Sequence, residues 1–189
     1  DGFDGPIDLA LEDAPRGFSL QGARIPDGRD IIWLTLTALE SPDSGLASLT
    51  MIGRAHIAGK TITRTATPAD DRMQAFLYRH LTPADEFLVA VMGRRSQAPL
   101  LRLVGNDPIR IPLDGQGRAM VQMPRWRTPL DFELELIHPS EGIRLDKVTK
   151  DRGRLAIALA IDDPSKVQGG LEDNLILEAY RTAEPPPNE

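Results

Sequence analysis

Two stretches of this chain, residues 6–55 and 129–180, look like the same structural unit written twice. The first copy contains GPIDLALEDAPRGFSL, RDIIWLTLTALESPDSG and ASLTMIGRA, and the second contains TPLDFELELIHPSEGIRL, GRLAIALAIDDPSKVQGG and DNLILEAYR. A repeat with so long a period is typical of tandem domains rather than of a solenoid. The repeat therefore predicts two domains of similar architecture within the 189 residues.

The turns and apolar residues of the two copies define a correspondence between them. Pro15 aligns with Pro139, and Gly17 with Gly142. The aligned apolar residues are Ile7, Leu9 and Leu11 with Leu130, Phe132 and Leu134, Phe18 with Ile143, and Leu34 and Leu36 with Ile157 and Leu159. The predicted domains are residues 1–94 and 99–182. The polar segment 93–99 is the predicted linker, and the Pro-rich segment 183–189 a tail or a further linker.

Apolar and polar residues alternate with period two in both copies, as in Ile7-Asp8-Leu9 and Leu134-Glu135-Leu136. Such alternation predicts strands with one buried face, and it favours antiparallel sheets. Turn sequences recur at intervals typical of sandwiches and barrels: PRG 15–17, PDG 26–28, SPDSG 41–45, AGK 58–60, DGQG 114–117 and PSEG 139–142. The sequence therefore predicts an all-β fold, with a hairpin over residues 54–65.

The same period-two geometry predicts which side chains after the Pro-Gly turns are buried. Phe18 and Leu20 follow the first turn, and Ile143 and Leu145 follow the second. Side chains two apart in a strand share a face. We therefore expect all four side chains to be buried between the sheets of their own domain.

Two segments of the first copy are harder to interpret. Residues 70–81 allow a helix capped by Asp70 or Asp71, and they equally allow a short strand over MQAFLY. The strand-like region 100–123 of the second copy has no counterpart in the first, where only residues 1–5 stand in its place. The first domain is thus expected to lack its first strand or strands. Either the chain is part of a longer protein, or the hairpin and the 70–91 segment complete the sheet.

The two copies share one pattern of elements. It consists of a strand, a turn of the form P-x(1,2)-G-[FI]-x-L, a second strand, an acidic loop and a last strand. It resembles the immunoglobulin-like and pre-peptidase C-terminal-like β-sandwich modules of large secreted bacterial proteins. The segments APRGFSL, PSEGIRL and GGLEDNLILEAYRT carry the likeness. The resemblance implies two tandem immunoglobulin-like antiparallel β-sandwich domains, and a non-catalytic structural or adhesion role in a larger extracytoplasmic protein. It carries over no active-site residue.

Composition narrows the function classes. The absence of cysteine excludes disulfides and thiolate metal sites. A net charge of −6 with scattered basic residues argues against nucleic acid as a partner. The sequence contains no apolar run long enough to cross a bilayer, and membrane insertion is not expected. No cofactor motif is present, since DGQG at 114–117 lacks the strand-to-helix context of a phosphate loop.

The histidines and the acidic residues of the chain are interpreted as structural. His56, His80 and His138 show no zinc-ligand spacing, and His138 is predicted to be a turn residue before Pro139. Glu133 and Glu135 lie on the solvent-facing side of one strand. An ordinary polar face is a simpler interpretation than a carboxylate pair for glycoside hydrolysis. A calcium site is the alternative for the acidic loop that contains Asp162, Asp163, Glu172 and Asp173, although the EF-hand spacing is missing. We predict no catalytic residue and no metal site.

Trp33 and Trp126 are the candidate ligand-contact residues. Exposed aromatic rings in line provide the stacking surface of a carbohydrate-binding face. Aromatic residues make up only 5% of the chain, and core packing or an interdomain contact is the competing interpretation for both tryptophans. A carbohydrate-binding accessory module of a secreted enzyme is therefore the alternative function.

Overall fold

A computed structural model describes residues 2–38, 45–74, 77–91, 101–105, 107–123, 132–151 and 153–181. The chain divides into two compact units, Asp1–Ala98 and Pro99–Glu189. All pairings in the described ranges are between antiparallel strands, and these ranges contain no α-helix. The predicted all-β class is confirmed. The predicted linker 93–99 and tail 183–189 lie outside the described residues, so both stay predictions.

The first unit is built around one long strand, β5. Its strands are β1 (Ile7–Glu12), β2 (Phe18–Gln21), β3 (Arg24–Ile25), β4 (Thr35–Ala38), β5 (Gly45–Ile57), β6 (Lys60–Thr65), β7 (Ala69–Met73), β8 (Arg79–Pro83) and β9 (Phe87–Val91). The main sheet has the order β3-β1-β5-β6, and β9 pairs with the beginning of β5. The strands β2 and β4 form one two-stranded sheet, and β7 and β8 form another. The hairpin segment and the 70–91 segment thus each add a strand to β5.

The second unit has two sheets that share one core. Its strands are β10 (Arg102–Leu103), β11 (Gln116–Gln122), β12 (Phe132–Ile137), β13 (Ile143–Asp151), β14 (Arg154–Ile161) and β15 (Ile176–Arg181). A four-stranded sheet has the order β10-β11-β14-β13, and β12 pairs with β15. Leu134 and Leu136 of β12 and Leu177 of β15 pack against the buried residues of β11 and β14. The unit therefore has the two-layer character of a sandwich.

Each unit repeats one strand-pairing scheme. In the first, β1 pairs with β5 while β2 pairs with β4. In the second, β12 pairs with β15 while β13 pairs with β14. Apart from the two-residue strand β3, which pairs with β1, the first of four strands thus pairs with the fourth, and the second with the third, in both units.

The turn after the first strand of each scheme also has the same backbone geometry. Asp13 follows β1 with φ of 49°, and His138 follows β12 with φ of 47°. Aspartate and histidine are among the side chains that best tolerate this left-handed region. Four residues later, Gly17 and Gly142 have φ of 93° and 85°. His138 is a turn residue, as predicted.

This turn corrects part of the correspondence read from the sequence. Because Asp13 and His138 occupy the same place, Leu9 and Leu11 correspond to Leu134 and Leu136, two residues beyond the predicted partners. Phe18 N–H donates to the Pro15 carbonyl, and Ile143 N–H donates to the Ser140 carbonyl. Pro15 therefore corresponds to Ser140, and the alignment of Pro15 with Pro139 is wrong by one residue.

The four side chains after the Pro-Gly turns are half-buried rather than fully buried. Leu20 lies opposite Leu36, and Leu145 lies opposite Leu159. Leu145 packs against the core of its unit. The predicted strand register is confirmed for these turns, whereas the predicted full burial is not.

The hairpin over residues 54–65 is confirmed, whereas the described residues of the segment 70–81 form neither an α-helix nor a continuous strand over MQAFLY. Strands β7 and β8 pair antiparallel, and the Gln74 N–H donates to the Tyr78 carbonyl between them. A short helix needs an apolar face packed on a core to be stable. The described residues of β7 and its turn are exposed, so nothing supplies that packing. Arg79 forms an ion pair with Asp71, its diagonal neighbour across the two strands, at 2.7 Å, and this contact stabilises the hairpin.

Candidate functional site

An open recess lies between β1 and β2 of the first unit. Its volume is about 460 Å³, and its apolar lining includes Leu9, Leu11, Phe18 and Leu20. Asp13, at the left-handed turn position, adds a carboxylate to the lining. The recess is open and most of the surface that it offers is polar, so it lacks the character of a preformed apolar ligand site.

Trp33 lies in the extended segment before β4. Its residue surface is 49% exposed, and that of Ile31 is 71% exposed, whereas Ile32 and Leu34 are half-buried. The predicted alternation is therefore present, and Trp33 faces away from its two apolar neighbours in sequence. Trp126 lies outside the described residues, so the second ligand-contact candidate stays a prediction.

The acidic loop of the second unit uses its carboxylates for local structure. Asp163 Oδ1 caps the short 3₁₀ turn Pro164–Lys166 by accepting from Ser165 N–H at 3.1 Å. Asp173 accepts the Ser140 hydroxyl hydrogen bond and also the Asn174 N–H at 2.8 Å. No group of three or more His, Asp or Glu residues in the described ranges is arranged to hold a metal ion. Of the four acidic residues named for a calcium site, Asp173 thus links the loop to the β12–β13 turn, and Asp163 caps a turn within the loop.

Lys166 reinforces this loop. Its ammonium lies 2.7 Å from Glu141 Oε1 and 3.9 Å from Asp163 Oδ2. The hydrogen bond to Glu141 raises the pKa of Lys166, and the Glu141 charge adds to that effect. The lysine side chain is about half exposed, so solvent screens the pair and its role is positional.

The other histidines lie on the exposed strands of the first unit. His56 Nδ1 is 3.2 Å from the Thr61 hydroxyl, across the β5–β6 pair. His80 lies opposite Arg72 in the β7–β8 hairpin. The two histidines belong to different sheets.

Glu133 and Glu135 are both exposed on β12, on the predicted polar face. Tyr180 of β15, directly opposite Glu133, donates its hydroxyl to Glu133 Oε2 at 3.1 Å. This hydrogen bond raises the pKa of Tyr180, with smaller contributions from desolvation and from the charges of Glu133, Glu135 and Glu178. The glutamate therefore stabilises the neutral phenol of Tyr180.

Removal of the Glu133 charge is expected to lower the pKa of Tyr180. The variant Glu133→Gln loses the carboxylate acceptor that favours the protonated phenol. Ultraviolet titration of phenolate in a Tyr78→Phe background measures the change. Glu135→Gln is the control, since Glu135 contributes only through charge. An equal or larger shift in the Glu135 variant would contradict the assigned hydrogen bond.

A group of exposed apolar side chains around the β7–β8 turn was not expected from the sequence. Met73, Leu77, Tyr78 and Leu81 are 59%, 82%, 73% and 73% exposed, in and around the β7–β8 turn. Leu77 also has φ of 65°, a left-handed conformation that is uncommon for leucine. The charged residues Asp70-Asp71-Arg72, together with Arg79-His80, are the sequence signal that favours a solvated hairpin.

Comparisons with family models, curated proteins and solved structures gave no match to this chain. Within the described ranges, no helix combines the length and apolar composition needed to cross a bilayer. The resemblance to secreted β-sandwich modules therefore rests on the sequence segments already given.

Proposed function

We propose that this chain is a non-catalytic structural or adhesion module of a larger extracytoplasmic bacterial protein. It consists of two tandem immunoglobulin-like β-sandwiches. The observation that carries the proposal is the pairing scheme shared by the two units, with the first strand paired to the fourth and the second to the third.

The roles of the acidic residues support the same proposal. Asp163 caps a turn, Asp173 binds Ser140 and the backbone, and Glu133 binds Tyr180. Catalytic carboxylates are typically set apart by burial or by a close like charge that shifts their pKa. Here the carboxylates act on the fold of their own unit, as expected for a module whose task is to hold its shape.

Force spectroscopy tests the structural role. We expect a chain tethered at both ends to unfold in two discrete events, because each unit has its own sheets. Wild-type protein is also expected to leave generic esterase, protease and glycosidase substrates unchanged. One single unfolding event would contradict tandem modules, and turnover that survives repurification would contradict a non-catalytic role.

A carbohydrate-binding accessory module is the second candidate, favoured by the exposure of Trp33 beside Ile31. Under this alternative, a glycan array shows binding that Trp33→Ala reduces by about tenfold or more, since loss of one stacking ring removes 1–3 kcal/mol. Trp126→Ala is measured in parallel, because it is the other predicted contact. Absence of binding to every glycan favours the structural role instead, whereas binding that both alanine variants retain would exclude these rings as the site.

A further inference from the structure

The outer edge of β6 is a regular sheet edge of six residues, as long as the outer edges of β12 and β15 in the described part of the chain. β6 pairs with β5 alone, and the register from Ile57–Lys60 to Ile52–Thr65 contains no shift. Its six residues are all exposed. An edge strand of this kind presents unpaired backbone donors and acceptors to any extended segment that approaches it.

The outward-facing backbone groups of β6 belong to its threonines. The hairpin loop has two residues, Ala58 and Gly59, with φ of 50° and 76°, the signature of a type I′ turn. In such a hairpin the closing pair, Ile57 and Lys60, exchanges backbone hydrogen bonds, and bonded pairs then alternate along the strands. The Ala66 N–H donates a hydrogen bond to the Met51 carbonyl at 2.8 Å, and this bond follows the same alternation. The N–H and C=O groups of Thr61, Thr63 and Thr65 therefore point away from β5.

A longer edge, β13 of the second unit, carries the usual protection against strand addition. Its register shifts between Leu145 and Lys147, which marks a bulge, and Lys147 and Lys150 lie along it. Bulges and edge lysines are the devices by which sheets discourage further pairing. β6 has no bulge, and its six residues are all exposed, so its edge is open to a partner.

Charge identifies the chemistry of that partner. Residues 45–68 contain no Asp or Glu, whereas β5 and β6 carry Arg54, His56, Lys60 and Arg64. Lys60 and Arg64 share one face of β6 with Ile62 between them, and Arg54 lies opposite Thr63 on the other face. Directly opposed unlike charges stabilise a strand pair, and like charges destabilise it.

A second copy of β6 fits this edge poorly. Antiparallel self-pairing centred on residue 62 sets Lys60 against Arg64, and pairing centred on residue 64 sets the two Arg64 side chains against each other. Centring on Thr63 avoids direct opposition but leaves the two Arg64 side chains diagonal neighbours. Each register that uses the outward backbone groups thus brings basic residues together.

We propose that the β6 edge binds an extended acidic segment of a partner protein by strand addition. The segment would carry two carboxylates, opposite Lys60 and Arg64, with an apolar residue between them opposite Ile62. Backbone hydrogen bonds to Thr61, Thr63 and Thr65 supply the sequence-independent contacts. The inference rests on the adhesion role proposed above, to which it adds the kind of partner.

The test uses the full chain and a synthetic peptide, Thr-Asp-Thr-Val-Thr-Glu-Thr, with a control peptide in which lysine replaces both acids. Nuclear magnetic resonance is expected to show amide shifts at Thr61, Thr63 and Thr65 with the acidic peptide and at least tenfold weaker binding of the control. Thr63→Pro removes an outward N–H that β5 does not use, so it should abolish binding, whereas Thr63→Val should retain it.

Reversal of the charges on β6 gives a result that a misfolded variant would not produce. The double variant Lys60→Glu/Arg64→Glu is expected to lose the acidic peptide and to gain the lysine peptide. Equal binding of both peptides by wild type, or no amide shift along β6, would overturn the proposal. Concentration-dependent shifts of β6 without peptide would assign the edge to a second copy and overturn it as well. Two-step unfolding under force does not involve this edge, so failure of peptide binding leaves the tandem-module proposal standing.

Discussion

Replacement of Leu155 by alanine is expected to destabilise the second unit by roughly 2–5 kcal/mol. Leu155 is 0% exposed and lies in the cluster formed with Ala119, Val121, Ile157 and Leu159. Truncation of such a side chain loses its transfer free energy and leaves a cavity that the neighbours fill only in part. Because native domains are stable by only about 5–15 kcal/mol, this loss is a large share of the total.

Hydrogen exchange followed by mass spectrometry in increasing denaturant measures this effect in each unit separately. Peptides from β11 and β14 should unfold at lower denaturant in the variant, while peptides from β1 and β5 keep their midpoint. Leu103→Ala is the matched control, since Leu103 is 51% exposed and surface changes are usually worth less than about 0.5 kcal/mol. An equal loss in both variants would contradict the assigned core.

The variant Gly142→Ala is expected to cost about 3 kcal/mol, from two causes. Gly142 has φ of 85°, and a side chain in the left-handed region costs about 1–2 kcal/mol. An added Cβ would also lie 2.9 Å from the Asp163 carbonyl oxygen and 2.9 Å from Val167 Cγ2. Relief of such overpacking requires backbone movement that costs about 1–3 kcal/mol more.

Gly153 provides the matched control for this prediction. Its φ is 83°, and an added Cβ there meets nothing within 4 Å. Gly153→Ala should therefore cost only the conformational part, about 1–2 kcal/mol. Urea denaturation of both variants measures the difference. Equal losses would show that the acidic loop does not pack against the β12–β13 turn.

The alternation of apolar and polar residues was sufficient to predict most strands and the all-β class. Strands such as β12 and β14 carry period two over their length, and a half-buried strand needs that pattern. The order of pairing was not predictable in the same way. Pairing of β1 with β5, across the intervening β2, β3 and β4, depends on long-range packing that local spacing does not encode.

The sequence alignment of the first turn in each unit was based on the wrong residue. The alignment matched Pro15 with Pro139 because both are prolines. The turn between β1 and β2 is instead defined by its two left-handed residues, Asp13 and Gly17. In the second unit His138 takes the place of Asp13, a substitution that backbone geometry allows and that sequence similarity does not reveal. The first-strand correspondence therefore shifted by two residues.

The β7–β8 hairpin was missed for a different reason. Met73 and Leu77 have helical spacing, but no core lies against them, and they are 59% and 82% exposed. Periodicity reports which side chains could share a face, not whether anything covers that face. The open edge of β6 was also not predicted, because which strand lies at the edge of a sheet depends on long-range pairing that local spacing does not encode.

Disulfide formation between introduced cysteines tests the shared pairing scheme most directly, since the chain has no cysteine of its own. Directly opposed residues in antiparallel strands have Cα atoms about 4.5–5.5 Å apart, within the range that a disulfide spans. Asp8 lies opposite Arg54 in the first unit, and Glu135 lies opposite Glu178 in the second. We expect rapid oxidation of both double-cysteine variants. Partners moved by one residue, to Ala55 or Ala179, point to the opposite face and should stay reduced. Oxidation of the shifted pairs in preference to the opposed pairs, or in only one of the two units, would contradict a common scheme.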